Sequence, residues 1–279
     1  MVDLTGTVAV VSGASRGVGK GVALGLGEAG ATVYVSGRTA REGAGVEGLP
    51  GTVYRTAEEV QKLGGQGIPV LCDHRNDRDV EALFAQVMRD CGRIDVLVNN
   101  VWGGYENLVA NDRYIETFPF WEQPIERWDS MFAAGVRAHY VSSVLAAKAM
   151  SRQRSGLIVT ISYWAARKFL GSPAYGAAKA ADDKLARDMA EQLRDYNVAS
   201  IGLYPGVVRT ENVLRYADYM DLSNSESPQF DGRAVAALAA DPNIMSKTGQ
   251  ILLAAEVAQE YGFTDTDGTR PRPVTLTEA

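Results

Sequence analysis

Residues 157–179 read LIVTISYWAARKFLGSPAYGAAK. Leu157, Ile158, Val159, Thr160 and Ile161 form a β-branched run that suits a buried strand, and Ser162 stands at its carboxyl end. Ser172 offers an N-cap, Pro173 occupies the first helical position, and the Ala-rich run that follows favours helix. Tyr175 and Lys179, four residues apart, then share one face of the first two helical turns. A phenol ordinarily titrates near about 10, and a neighbouring ammonium favours the phenolate and brings the group toward neutral pH. With Ser162 hydrogen-bonding the same oxygen that Tyr175 protonates, the three side chains would polarise and protonate a carbonyl. A Tyr–Lys pair at this spacing is common on solvated helices, so its meaning depends on what surrounds it.

Toward the N-terminus, residues 7–12 (TVAVVS) form a first strand that breaks into Gly13, Ala14, Ser15, Arg16, Gly17, Val18 and Gly19, with helix expected over 20–29. Strand, glycine turn and helix make a dinucleotide site: the glycines admit a tight turn and close approach of N–H groups to a pyrophosphate at the positive end of the helix. The second strand, 31–36, ends at Gly37-Arg38, where an acidic residue would bind the 2′-hydroxyl of NAD and an Arg accommodates the 2′-phosphate of NADP. Arg38 stands there, and Arg16 in the turn reaches for the same phosphate, unless each is simply solvated. NADP is therefore the expected cofactor. Residues 40–51, rich in Gly and closed by Pro50-Gly51, read as an unusually long loop on the adenosine side.

Strands are expected at 67–72, 94–99, 199–204 and 250–253, and helices at 56–63, 77–90, 126–151, 173–194 and 233–240. Asp73 follows the third strand, as an acceptor for an adenine amino group or as a helix cap. Asn99-Asn100 ends the fourth, and Pro205-Gly206-Val207-Val208-Arg209-Thr210 the sixth. Thr210 is either a partner for the nicotinamide carboxamide or an N-cap. Val80, Leu83, Phe84 and Val87 form one apolar stripe, whereas Trp128, Met131, Phe132, Val136 and Tyr140 give the long helix more apolar surface than one sheet face needs, as at a subunit interface. Residues 211–232, irregular and mixed, read as a substrate lid. Trp102, Tyr105, Trp164, Phe169, Tyr204, Tyr216 and Tyr219 are candidate walls of an apolar pocket.

Strict alternation of strands and helices implies an α/β fold, a single doubly wound parallel sheet of about seven strands (Rossmann-type) in one domain over residues 1–279. Ligands of such sheets bind at the carboxyl ends of the strands, where Ser12, Arg38, Asp73, Asn99, Ser162 and Pro205 all fall. The 279 residues are 46% hydrophobic, enough for a full core. A net charge of −6, without a basic cluster, argues against nucleic acid as a partner. Cys72 and Cys91 have neither disulfide nor metal spacing, and no metal site is expected. No signal peptide and no membrane span are visible, so a cytoplasmic protein is expected.

Gly13 to Gly19, Asp73, Asn99-Asn100, Ser162, Tyr175 to Lys179, and Pro205-Gly206 with Thr210 occur in an order and spacing that resembles the short-chain dehydrogenase/reductase family over nearly the whole chain. Gly135-Val136-Arg137-Ala138-His139-Tyr140, Ser227-Pro228 and Tyr261-Gly262-Phe263 resemble one branch of it, which lacks the insertion between Arg41 and Gly51. The resemblance implies a hydride transfer between NADPH and a ketone or aldehyde, with Tyr175 as proton donor. Lys179 would lower its pKa and hold the nicotinamide ribose, and Ser162 would bind the substrate oxygen. It also implies a homodimer or homotetramer. Where the family places a helix Asn that holds a relay water, this chain has Gly135, so another group or a backbone carbonyl would have to serve. Reduction of 3-oxoacyl thioesters and a non-catalytic NADP sensor are the alternatives.

Overall fold

The structure, a computed structural model, describes residues 2–45, 48–105, 109–110, 113–115 and 118–278. Positions 46–47 of the expected adenosine-side loop lie outside them. Seven parallel strands form one sheet: β1 (Val8–Ser12), β2 (Thr32–Gly37), β3 (Gln66–Leu71), β4 (Val96–Asn99), β5 (Gly156–Ile161), β6 (Val198–Tyr204) and β7 (Ile251–Leu253), in the order β7-β6-β5-β4-β1-β2-β3. The inner strands are apolar on both faces because helices cover both, as their continuous Val/Ile runs anticipate. Pro69 is tolerated in β3 because β3 is an edge.

One helical layer holds α1 (Gly17–Glu28), α2 (Val53–Lys62), α8 (Pro228–Ala240) and α9 (Ala254–Tyr261), and the other holds α3 (Asp77–Cys91), α5 (Ala138–Gln153) and α6 (Pro173–Leu193). Between them in sequence come the short α4 (Ile125–Met131) and α7 (Glu211–Arg215). Helices α1 and α8 touch backbone to backbone: a Cβ on Gly21 would lie 1.9 Å from the Pro228 carbonyl oxygen, and one on Gly25 2.3 Å from Gly232. That contact anchors the glycine turn at the start of α1.

Three expectations change. Helix α1 starts at Gly17, not Lys20, so the turn's last glycines belong to the helix itself. The long helix is not continuous: Phe132–Arg137 is a π turn between α4 and α5, and Gly135 sits in it. Helix α8 starts at Pro228 rather than Arg233, because Ser227 accepts from the Phe230 N–H and Pro228 fits the first turn. Phe230 and Asp231, expected in a lid, are buried core. The polar tail also contributes, since Asp265 is buried and accepts from the Ser227 N–H and hydroxyl and from Arg209.

Candidate active site

A cleft of about 400 Å³ opens at the carboxyl ends of the strands. Gly13, Ser15, Arg16, Gly17, Val18, Arg38, Asp73, Ser162, Tyr175, Lys179, Pro205, Gly206, Val208 and Thr210 all line it. Two expected members do not. Gly19 packs inward, where a Cβ would meet Asn100 Nδ2 at 2.3 Å and the Gly13 oxygen at 2.5 Å. Asn99 is fully buried and donates to Ser143 (2.8 Å) and Thr160 (3.4 Å); it braces β4 from behind. Asn100 takes the cleft position instead, donating to the carbonyls of Ser12 and Gly13.

The glycine turn fits a diphosphate. Gly13 has φ +66° and faces the Val101 backbone, with 2.7 Å between a would-be Cβ and Val101 Cα. Gly17 has φ +57°, and a side chain there would fill the gap toward Thr210, whose methyl lies 3.5 Å from that Cβ position. The Gly17 N–H, at the positive end of α1, donates to Glu211 Oε2 at 2.8 Å. A carboxylate thus sits on the amide that an incoming phosphate would need. Thr210 caps α7 through the Val213 N–H, as one of its two expected roles has it, and it also lines the cleft.

At the adenosine end Arg16 is committed to protein, donating to the carbonyls of Pro50 (2.9 Å) and Gly51 (3.0 Å) and to Thr39 (3.2 Å). It ties the long loop to the turn. Arg38 is exposed at the cleft wall. Asp73 is paired with Arg75 at 2.7 Å, and that guanidinium's hydrogen bonds hold its carboxyl down to about 2. Asp73 does not cap α3, because Asn76 accepts from the Arg78 N–H. Arg75 escaped the sequence reading, since only the turn after β3 folds it back onto Asp73. His74, buried beside it, is pushed down to about 4 by burial and stays neutral.

At the other end Tyr175 is half-buried on the first turn of α6, capped by Ser172, and Lys179 lies buried beneath the cleft floor. Lys179 Nζ donates to the Ile161 carbonyl at 3.0 Å and sits 4.5 Å from the centre of the Trp102 ring. Trp102 also meets Tyr175 edge-on at 5.6 Å between centroids. The Trp102 ring explains Gly135: a Cβ there would be 2.9 Å from two atoms of the indole, so an Asn cannot enter without displacing it. Ser162 is buried and its hydroxyl donates to the Lys179 carbonyl at 3.2 Å, so it must rotate to serve a substrate oxygen.

Gly206 is held from below. Its N–H donates to Glu226 at 2.7 Å, and burial pushes that carboxyl up to about 7. Of the aromatic candidates, Trp102 and Tyr105 line the cleft, joined by Tyr163 and Met220. Trp164 and Tyr204 are instead core neighbours, 5.3 Å between centroids, and Tyr204 donates to Asp183 at 2.5 Å. Phe169, Tyr216 and Tyr219 do not line the cleft. No helix among the described residues is long and apolar enough to cross a membrane, and none of their His, Cys, Asp and Glu form a cluster for a metal.

The short chain dehydrogenase profile matches residues 7–218. Dehydrogenase/reductase SDR family member 1 from Homo sapiens and Mus musculus is 40% identical, with 97% of this chain and 86% of the relative covered. This is the branch to which Gly135–Tyr140 and the C-terminal Tyr261-Gly262-Phe263 pointed. The 7alpha-hydroxysteroid dehydrogenase of Escherichia coli (strain K12) is 31% identical over 75% of this chain and 73% of the relative. Among solved structures, a short chain dehydrogenase from Mycobacterium thermoresistibile superposes with a TM-score of 0.79 at 28% identity, over 98% of this chain and 95% of that one. A 7alpha-hydroxysteroid dehydrogenase complexed with NADH and 7-oxo glycochenodeoxycholic acid gives 0.72 at 25% identity, over 96% of both chains.

Proposed function

The chain belongs to the short-chain dehydrogenase/reductase family, and on that premise we propose that it is an NADPH-dependent carbonyl reductase, reversible as an alcohol dehydrogenase. Oxidoreduction between CH–OH and C=O with a nicotinamide cofactor follows from the family; the direction, the phosphate and the substrate are our reading. The observation that carries it is that Ser162, Tyr175 and Lys179 line the same cleft as the glycine turn.

The nicotinamide, when bound, supplies the hydride. Ser162 would donate its hydroxyl to the substrate oxygen after leaving the Lys179 carbonyl. Tyr175 would give its phenolic proton to that oxygen, and the Lys179 ammonium would stabilise the phenolate left behind. Gly17 and its neighbours would hold the diphosphate, and Thr210, Val208 and Gly206 the nicotinamide side. Arg38, exposed at the cleft wall where β2 ends, supports NADP. Trp102, Tyr105, Tyr163 and Met220 support a fairly bulky apolar carbonyl compound. The segment after Thr210 would close over it. Exposed Ile125, Trp128 and Tyr140 on α4 and α5 support a homodimer or homotetramer, and we infer a cytoplasmic location.

The test is NADPH oxidation, beside NADH, against a panel of simple ketones, aldehydes, bulky cyclic ketones and 3-oxoacyl thioesters, with Tyr175→Phe as control. Turnover of cyclic ketones with NADPH, abolished in the variant, is the expected result. Tight NADPH binding with no turnover of any carbonyl would replace this reading with the sensor.

A further inference from the structure

Behind Lys179 lies a buried pair. Asp182 is fully buried on α6, and its Oδ2 lies 3.4 Å from Lys179 Nζ. Its Oδ1 lies 2.8 Å from Nδ1 of His139 on α5, and His139 Nε2 lies 2.9 Å from the Val101 carbonyl oxygen. A carbonyl only accepts, so Nε2 must carry a proton. Were Nδ1 bare and Asp182 ionised, two lone-pair acceptors would face each other at hydrogen-bond distance in a dry interior. One proton therefore lies between them. Burial would raise the Asp182 carboxyl, but His139 and Lys179 outweigh it and hold it below the usual range, so Asp182 is the negative partner. The pair is a dipole with its negative end toward Lys179.

Gly135, where the family's helix Asn would stand, is filled by the Trp102 ring. We propose that His139 and Asp182 are positioning residues, fixing Lys179 in place and setting the charge it presents to Tyr175. The inference rests on the reading of Tyr175 as the proton donor. His139→Gln keeps a donor for the Val101 carbonyl but takes the proton from Asp182. A bare carboxylate then faces Lys179, and the Tyr175 phenol titrates higher. Asp182→Asn removes the negative end of the dipole, and the phenol titrates lower. Other ionisable groups beside the cluster are Asp183, next to Asp182 on α6 and bonded to Tyr204 on β6, and His74 after β3, which interacts with His139. They are the same in every variant and cancel in the comparison.

The experiment needs no substrate. Tyrosinate ultraviolet absorbance is titrated for the full chain with saturating NADP⁺ and again without it, and the matching curve of the same protein carrying Tyr175→Phe is subtracted. The expected midpoint shifts are up by about one unit in His139→Gln and down by about half a unit in Asp182→Asn. His139→Asn, which carries no ionisable proton, is the second variant and moves the midpoint upward too. Opposite shifts uphold the inference. A wild-type midpoint well below that of a free phenol, with both variants unmoved or displaced the same way, overturns the role of the pair alone. A wild-type midpoint at the free-phenol value that no variant moves removes the reading of Tyr175 and the role of the pair with it.

Discussion

The two ends of the cleft are built on opposite principles. At the reaction end, Lys179, Asp182, His139 and Ser162 are each less than 10% exposed, and every one has a fixed hydrogen-bond partner. At the adenosine end, Arg38 and Arg75 are exposed, and the Arg75–Asp73 pair is in contact with water. Charges act strongly over short distances where water is excluded, and weakly where solvent and salt screen them. A change at the reaction end is therefore expected to move rates by orders of magnitude. At the adenosine end it adjusts which cofactor is preferred, in smaller and salt-sensitive steps.

Tyr175→Phe puts the most strain on this contrast: turnover should fall roughly a thousandfold while NADPH binding, measured by fluorescence titration, stays within about twofold. A variant that retained a tenth of the wild-type rate would end the assignment of Tyr175. Next comes Gly135→Asn, which restores the family's residue and forces Trp102 off its seat. It should lower the rate about tenfold and destabilise the fold by about 1–3 kcal/mol, as thermal unfolding would report. Improved turnover would show that the indole is dispensable.

Arg38→Ser tests the exposed end. The dissociation constant for NADPH should rise about tenfold while that for NADH is unchanged, with a smaller ratio at high salt. An equal loss for both cofactors would refute a phosphate role. Glu211→Gln is the mildest change. Removing the carboxylate that accepts from the Gly17 N–H should tighten binding of either cofactor about threefold, and looser binding would mean that Glu211 helps to hold the closed segment.

Much of the site was legible because its signals are local. The glycine turn follows a strand and opens a helix within a few residues, and Ser162, Tyr175 and Lys179 are fixed by one strand end and one capped helix. Boundaries were less legible where a backbone contact decides them. Helix α8 opens at Pro228 on its Ser227 cap, and that first turn is seated against α1 at Gly21 and Gly25, partners about two hundred residues away in sequence. The aromatic candidates divided for the same reason: an aromatic residue states that it will be buried, not which side of a wall it will face. Trp164 and Tyr204 found each other in the core, while Tyr163, next to one of them, faces the cleft.

The sequence by itself determined the parallel sheet, the glycine turn between β1 and α1, and the placing of Ser162, Tyr175 and Lys179 at one strand end and one helix face, because apolar periodicity, glycine spacing and a four-residue helical step are properties of short stretches. Only the tertiary structure decided that Asn100 rather than Asn99 lines the cleft, that Arg75 occupies Asp73, and that Trp102 takes the space above Gly135. The same holds for His139 and Asp182, 43 residues apart and on different helices. The Trp102–Gly135 and His139–Asp182 pairings depend on which side chains converge after the helices have packed, and no short window of sequence contains both partners.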